Sequence, residues 1–181
     1  EKLLNKLSNC IKETFLIEDI ELVISNNGSS DNTDKIISNF LSTNSEIQIT
    51  LNTNPKNLGF SKNILKLIES SNGQYIWFIG DDDLPEYKAI DKILRVLKNE
   101  KNIDYLTGDV NTYIDNKQTC NNYFFSEIND VTINGDYYLR QYLHTSGFLS
   151  INIYKLSILK EFVDKKGFEW SDMETNWPLI V

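Results

Sequence analysis

Cysteine is scarce: the 181 residues hold two, Cys10 and Cys120, far apart in the chain. That spacing fits neither a disulfide framework nor a zinc-ligand cluster, and it predicts two reduced thiols in a reducing compartment. Basic charge is also short, with 18 Lys and Arg against 26 Asp and Glu and a net charge of −8. This argues against a broad electrostatic footprint for duplex nucleic acid or an anionic membrane. An anionic substrate would need a metal ion or backbone amides. Long hydrophobic runs are missing as well. The densest near the middle, Tyr75 to Ile79, falls far below the roughly twenty residues that span a bilayer. The N-terminus lacks the basic-then-apolar pattern of a secretory signal. No linker, repeat or low-complexity stretch divides the chain. With 40% hydrophobic and 24% charged residues, the composition is that of a soluble globular domain and excludes disorder and coiled coil. The length suits one domain, residues 1–181.

Hydrophobic spacing then orders the elements. Leu3, Leu4, Leu7, Ile11, Phe15 and Leu16 predict an amphipathic helix over residues 2–16. The run Glu21 to Ser25 reads as a strand, Asn26 to Asp31 as a loop, and Ile36, Ile37, Phe40 and Leu41 as one face of a second helix. Ser30 or Asp31 is placed to cap that helix, with Asp31 and Asp34 near its positive end. The alternation repeats: strand Ile47 to Leu51, loop, helix with Ile64, Leu65 and Ile68, then Tyr75 to Ile79. This last run has no polar alternation, as expected of a strand central in a sheet and covered on both faces. A helix around Tyr87 to Leu97 and a strand from Ile103 to Thr107 follow. Strands alternating with helices predict an α/β fold, a Rossmann-like doubly wound, mostly parallel sheet with helices on both faces. Beyond about residue 108 the rhythm loosens into short strands at Val110 to Ile114, Tyr123 to Phe125 and Val131 to Ile133, and a helix from Asp136 to Leu143.

Open sheets of this kind bind ligands at the carboxyl ends of their strands. Three loops leave strands at that edge. In Gly80-Asp81-Asp82-Asp83-Leu84-Pro85 three adjacent carboxylates repel one another unless a cation neutralises them. Mg²⁺ or Mn²⁺ is the matching cation, since such ions take oxygen ligands, one or two carboxylates with phosphate oxygens completing the shell. The plainer reading is an acidic turn that caps the next helix. Asn26 to Asp31 offers amides and short polar side chains at a helix N-terminus, where an anion or nucleoside could sit, or it is an ordinary polar turn. Asn57 to Asn63 sets Lys62 in the first turn of a helix, to pair with a phosphate or to stand solvated.

In this order and spacing, Val23-Ile24-Ser25-Asn26-Asn27-Gly28-Ser29-Ser30-Asp31-Asn32-Thr33, Asn57-Leu58-Gly59-Phe60-Ser61-Lys62-Asn63 and Tyr75 to Asp83 resemble the nucleotide-sugar-binding half of family 2 glycosyltransferases with the GT-A fold. The resemblance covers residues 1 to about 107 and leaves 108–181 as an acceptor-side half. The Trp-Phe-Ile-Gly-Asp-Asp-Asp-Leu form is most similar to bacterial enzymes that build surface polysaccharides, abequosyltransferase-like members included.

The resemblance implies transfer of a hexose or deoxyhexose from a nucleoside-diphosphate sugar to a polysaccharide or lipid-linked glycan, inverting and dependent on Mg²⁺ or Mn²⁺. It implies a cytoplasmic enzyme, with peripheral association at the inner face of the cell membrane. Asp81 and Asp83 match the metal ligands, with Asp83 the direct one, and Asp81 and Asp82 the nucleotide motif. Asn26, Asn27, Ser29, Asn57 and Lys62 match the nucleotide-sugar contacts. Asn26 stands where the family usually has an Asp that binds the base, and an amide both donates and accepts, which suits cytosine as well as uracil or thymine. Gly80 replaces the first acid of the commoner acidic motif, and the family's first strand would precede Glu1.

An inverting transferase also needs a general base for the acceptor hydroxyl. Asp172, with Glu174 as second choice, matches the acid of the family's second half. Trp170 and Trp177 are candidates to stack on a sugar or to fill the core, and His144 to border the acceptor or to serve structure. Two rivals remain at this level: a nucleotidyltransferase, although its Gly- and Lys/Arg-rich phosphate loop is absent, and a non-catalytic module that holds a nucleotide sugar.

Overall fold

The computed structural model describes residues 1–100, 102–115, 117–120, 124 and 133–166. Helix α1 spans Lys2–Lys12, β1 Glu21–Asn26, α2 Thr33–Thr43, β2 Gln48–Thr53 and α3 Phe60–Ser70. Then come β3 Tyr75–Trp77, α4 Ala89–Asn99, β4 Tyr105–Thr107, the small hairpin of β5 Thr112–Ile114 and β6 Lys117–Cys120, α5 Gly135–Tyr142, β7 Asn152–Lys155 and α6 Leu156–Lys166. Strands β1 and β2 pair in parallel, in register from Glu21 opposite Gln48 to Asn26 opposite Thr53. Strand β7 lies between β3 and β4 and runs antiparallel to both. Thus β3 and β4 point the same way. The Glu21 carboxylate at the start of β1 accepts hydrogen bonds from the backbone N–H groups of Asn72 (2.6 Å) and Gly73 (2.7 Å), just before β3. The beginnings of β1 and β3 therefore lie together, and both strands run to one edge.

Helices cover both faces, and β3 shows how. Ile76 and Phe78 pack with Ile64 and Ile68 of α3 and Leu156 and Leu159 at and within α6. Trp77 and Ile79 point the other way, against a cluster of Leu7, Cys10 and Ile11 from α1 and Ile90 from α4. Successive side chains of an extended chain alternate in direction, so an unbroken apolar run supplies two cores at once. The run expected at the centre of a sheet is hydrogen-bonded through β3 to β7 alone in this three-stranded sheet. Its centre is β7, whose Asn152, Ile153 and Tyr154 are all buried.

Some boundaries differ from the spacing. The first helix stops at Lys12, and Phe15, placed by periodicity on its buried face, is 95% exposed. A 3₁₀ turn at Ile17–Asp19 carries the chain into β1 instead. Of the expected short strands, Val110 to Ile114 survives as β5, whereas Tyr123 to Phe125 and Val131 to Ile133 fall almost wholly outside the described residues. Cys10 and Cys120 are not joined in a disulfide, and burial pushes the Cys10 thiol up from its ordinary value. Among the described residues no helix is long and apolar enough to cross a membrane.

Leu159, with 0% of its surface exposed, is the best-enclosed leucine of the α3/α6 core. Leu159→Ala is expected to cost about 2–5 kcal/mol in urea denaturation. Ile158→Ala, at the exposed neighbour, should cost within about 0.5 kcal/mol.

Candidate active site

The loops after β1 and β2 are laced together by asparagines. Asn27 Nδ2 donates to Asn57 Oδ1 (2.9 Å), and Asn27 Oδ1 accepts from the backbone N–H of Leu58 (3.0 Å) and from Asn54 Nδ2 (3.0 Å). Asn63 Oδ1, in the first turn of α3, accepts from Ser25 Oγ (2.6 Å) and Asn54 Nδ2 (3.2 Å). A carboxamide can donate and accept at once, so each side chain bridges two loops without placing a charge between them. Gly28 permits the approach. Its φ is +73°, and an added Cβ would stand 2.4 Å from the Lys56 carbonyl carbon and 2.6 Å from the Asn57 nitrogen.

Asn26 is 3% exposed. Its Nδ2 donates to Asp34 Oδ1 (2.6 Å), and its Oδ1 accepts from the backbone N–H of Ser29 (3.1 Å). The amide is thus turned inward, tying the end of β1 to the first turn of α2. The cap of α2 is Asn32, without a side-chain hydrogen bond, and neither Ser30 nor Asp31 as the spacing suggested. Asp31 lies one residue earlier and accepts from the hydroxyl and backbone N–H of Thr33, and these bonds, the hydroxyl's first, hold its carboxyl below the usual range. Ser29, Asn57 and Lys62 lie around the same two loops, with Asn57 Oδ1 also accepting from the backbone N–H of Gly59 (2.8 Å).

The acidic turn sits beyond β3. A Cβ built on Gly80 would lie 3.1 Å from Asp82 Oδ1 and 3.2 Å from Asp83 Oδ2, so both carboxylates fold back over the glycine. An acid or any larger side chain at position 80 would push them apart. Asp81 and Asp82 are exposed and Asp83 is half-buried. Asp83 Oδ2 accepts from Ser150 Oγ (2.6 Å), Ser150 Oγ in turn accepts from the backbone N–H of Gly80 (2.9 Å), and the Ser150 carbonyl accepts from Trp77 Nε1 (2.8 Å). No group of three His, Cys, Asp or Glu side chains is gathered for a metal among the described residues. The donor set nonetheless fits a hard cation whose remaining ligands are phosphate oxygens, because two carboxylates converge where Gly80 leaves room.

Behind the turn lies a polar knot. Tyr105 hydroxyl bonds Tyr138 hydroxyl (2.8 Å) and Asn152 Oδ1, which also accepts from Thr107 Oγ1 (3.0 Å). Tyr138 hydroxyl meets Thr145 Oγ1 (2.5 Å), and Asn152 Nδ2 donates to the Phe148 carbonyl (2.8 Å). Asn152 and Thr145 are both 0% exposed, and burial raises the Tyr105 phenol far above its ordinary value and the Tyr154 phenol to about 12. The knot fixes the 3₁₀ turns Leu143–Gly147 and Leu149–Ile151, hence Ser150. His144 is exposed, its ring 6.0 Å from that of Phe124.

Ser150 and Asn54 belong to none of the motifs above. Asn63 closes the Asn57 to Asn63 motif, but only the fold brings Ser25 and Asn54 to its Oδ1. Asp172, Glu174, Trp170 and Trp177 lie outside the described residues.

An α/β domain with helices on both faces and asparagine and aspartate loops at one strand edge is the GT-A class of architecture. The glycosyl transferase family 2 profile matches residues 1–168, and the chain belongs to that family. Family membership sets it apart from the nucleotidyltransferases. Abequosyltransferase RfbV of Salmonella typhimurium is 39% identical over 83 residues, covering 46% of this chain and 24% of that protein. The crystal structure of S. aureus TarS 1-349 superposes with a TM-score of 0.66 at 20% identity, over 88% of this chain and 44% of TarS 1-349. That of S. aureus TarS gives 0.64 at 18% identity, over 89% of this chain and 27% of the other. The chain thus spans less than half the length of each.

Gly28→Ala is expected to destabilise the protein by about 1–3 kcal/mol from backbone strain alone, with the clash adding to it. It should also speed amide exchange at Leu58, whose N–H is held by Asn27. Gly59→Ala shares a positive φ of +81° but meets nothing within 4 Å, so it should cost less in the same denaturation assay.

Proposed function

We propose that the protein transfers a hexose or deoxyhexose from a nucleoside-diphosphate sugar to a hydroxyl of a polysaccharide or lipid-linked glycan, inverting the anomeric centre with a divalent metal at the acidic turn. The observation that carries this reading is the convergence of Asp82 and Asp83 over Gly80, in a family 2 chain, at the strand edge that also bears the asparagine loops. Similarity to an abequosyltransferase supports transfer of a sugar.

Bound at this turn, Mg²⁺ or Mn²⁺ would supply Lewis-acid stabilisation of the departing diphosphate. Asp83 is the direct ligand, and its convergence with Asp82 favours Asp82 as the partner carboxylate, with exposed Asp81 beside them on the nucleotide side. Asn27, Ser29 and Asn57 frame the nucleotide, and Lys62, an exposed ammonium in the first turn of α3, suits a phosphate. Asn26 acts by shaping this loop, since both ends of its amide are already engaged by Asp34 and Ser29. Asp172, with Glu174 as second choice, is the general base that takes the acceptor proton. The reaction belongs in the cytoplasm, at the inner face of the membrane where lipid-linked acceptors lie.

Calorimetric titration with UDP, CDP, GDP and dTDP, each with and without Mn²⁺, tests the reading. One nucleotide should bind in a manganese-dependent way, and Asp83→Ala should weaken it by about tenfold or more. Binding indifferent to both manganese and Asp83 would overturn the metal site. Turnover to free nucleoside diphosphate distinguishes the transferase from a module that only holds the donor.

A further inference from the structure

We infer that Ser150, from the second half of the chain, is the positioning residue that orients the Asp83 carboxylate for the metal-nucleotide site. The inference rests on the metal reading of the acidic turn given above. Its basis is the directionality of three hydrogen bonds. The Gly80 N–H can only donate, and it gives its hydrogen to Ser150 Oγ at 2.9 Å. The single hydroxyl proton of Ser150 is thereby aimed at another acceptor, and Asp83 Oδ2 stands 2.6 Å away. Asp83 Oδ2 accepts from the serine while standing beside Gly80 near Asp82 Oδ1, so the hydroxyl sets the plane in which the carboxylate would meet a cation. The turn closes on itself at the same place, where the Asp83 N–H donates to the Gly80 carbonyl (3.2 Å).

Ser150 is itself held on both sides. Its carbonyl accepts from Trp77 Nε1 at 2.8 Å, fastening it to β3, the strand that leads into the acidic turn. Two residues on, Asn152 is wholly buried and takes hydrogen bonds from Thr107 and Tyr105 while donating to the Phe148 carbonyl. A hydroxyl anchored in this way has little freedom to follow the carboxylate, so the carboxylate follows it. Groups that hydrogen-bond a metal ligand without touching the metal fix its orientation, and their loss commonly costs 10–100-fold in metal affinity. Ser150 occupies that place.

The test is a titration of Mn²⁺ followed by electron paramagnetic resonance, alone and with UDP or CDP present, on the intact protein and on Ser150→Ala, Ser150→Thr and Asp83→Ala. Ser150→Ala should bind Mn²⁺ about 10–100-fold more weakly, and Ser150→Thr, which keeps the hydroxyl, should restore affinity to near that of the parent. A role confined to stability would lower the melting temperature of Ser150→Ala and leave the manganese affinity of the folded fraction unchanged, and that result overturns the inference. Should Ser150→Ala not fold, Ser150→Cys replaces the hydroxyl with a weaker donor, and parental affinity in that variant overturns it equally. Loss of manganese in Asp83→Ala with parental affinity in Ser150→Ala refutes the serine's role alone. Parental affinity in Asp83→Ala refutes the metal reading and the serine's role together.

Discussion

The antiparallel insertion of β7 between β3 and β4 is the constraint on which the rest of the structure depends. It occupies the middle of the three-stranded sheet, and Asn152, Ile153 and Tyr154 are each buried within it. Ile153 pairs with Trp77 on one side and Leu106 on the other, while Tyr154 and Leu156 complete the core that α3 and α6 share. Because β7 is reached through the 3₁₀ turn Leu149–Ile151, its seating delivers Ser150 to the acidic turn. The two halves of the chain are therefore joined at the site itself.

Polar groups in this structure are handled by neutral amides and hydroxyls more than by ion pairs. The described salt bridges, such as Lys12 with Glu46 and Lys98 with Asp19, lie at the surface, where such pairs contribute little. The interior instead holds Asn26, Asn44, Asn54 and Asn152, and among the described residues no buried side-chain nitrogen or oxygen lacks a hydrogen-bond partner. An unpaired amide in the interior costs more than a paired one stabilises, so a fully satisfied network acts mainly by specifying one arrangement of the loops. Asn54, 3% exposed and donating to both Asn27 and Asn63, shows this most directly. Under the proposed reading this rigidity has a purpose, since a site that is to place a nucleotide sugar against an acceptor would need its frame settled beforehand.

Much of the fold could be read from residue spacing. The change from helical to strand period at Glu21, the turn formers after Asn26 and the unbroken run at Tyr75 placed β1, α2 and β3 nearly where they lie. Spacing failed at the end of the first helix. Phe15 continues the helical period of α1, but the helix ends at Lys12 and the ring is left in solvent. The acidic turn and the asparagine loops were legible as motifs because each is local in sequence. Asn26 was equally visible, yet its inward orientation was not, because that depends on Asp34 eight positions later across a turn.

The sequence by itself determined the α/β alternation, the three loops of the strand edge and the family resemblance, because periodicity and turn chemistry act over a few neighbouring residues. Only the tertiary structure decided that β7 divides β3 from β4, that Gly28 presses against the Lys56–Asn57 peptide, and that Ser150 grips Asp83 from 67 positions away. Antiparallel insertion and long-range hydrogen bonds leave no period in the chain. They follow from which surfaces remain to be buried once the local elements have formed.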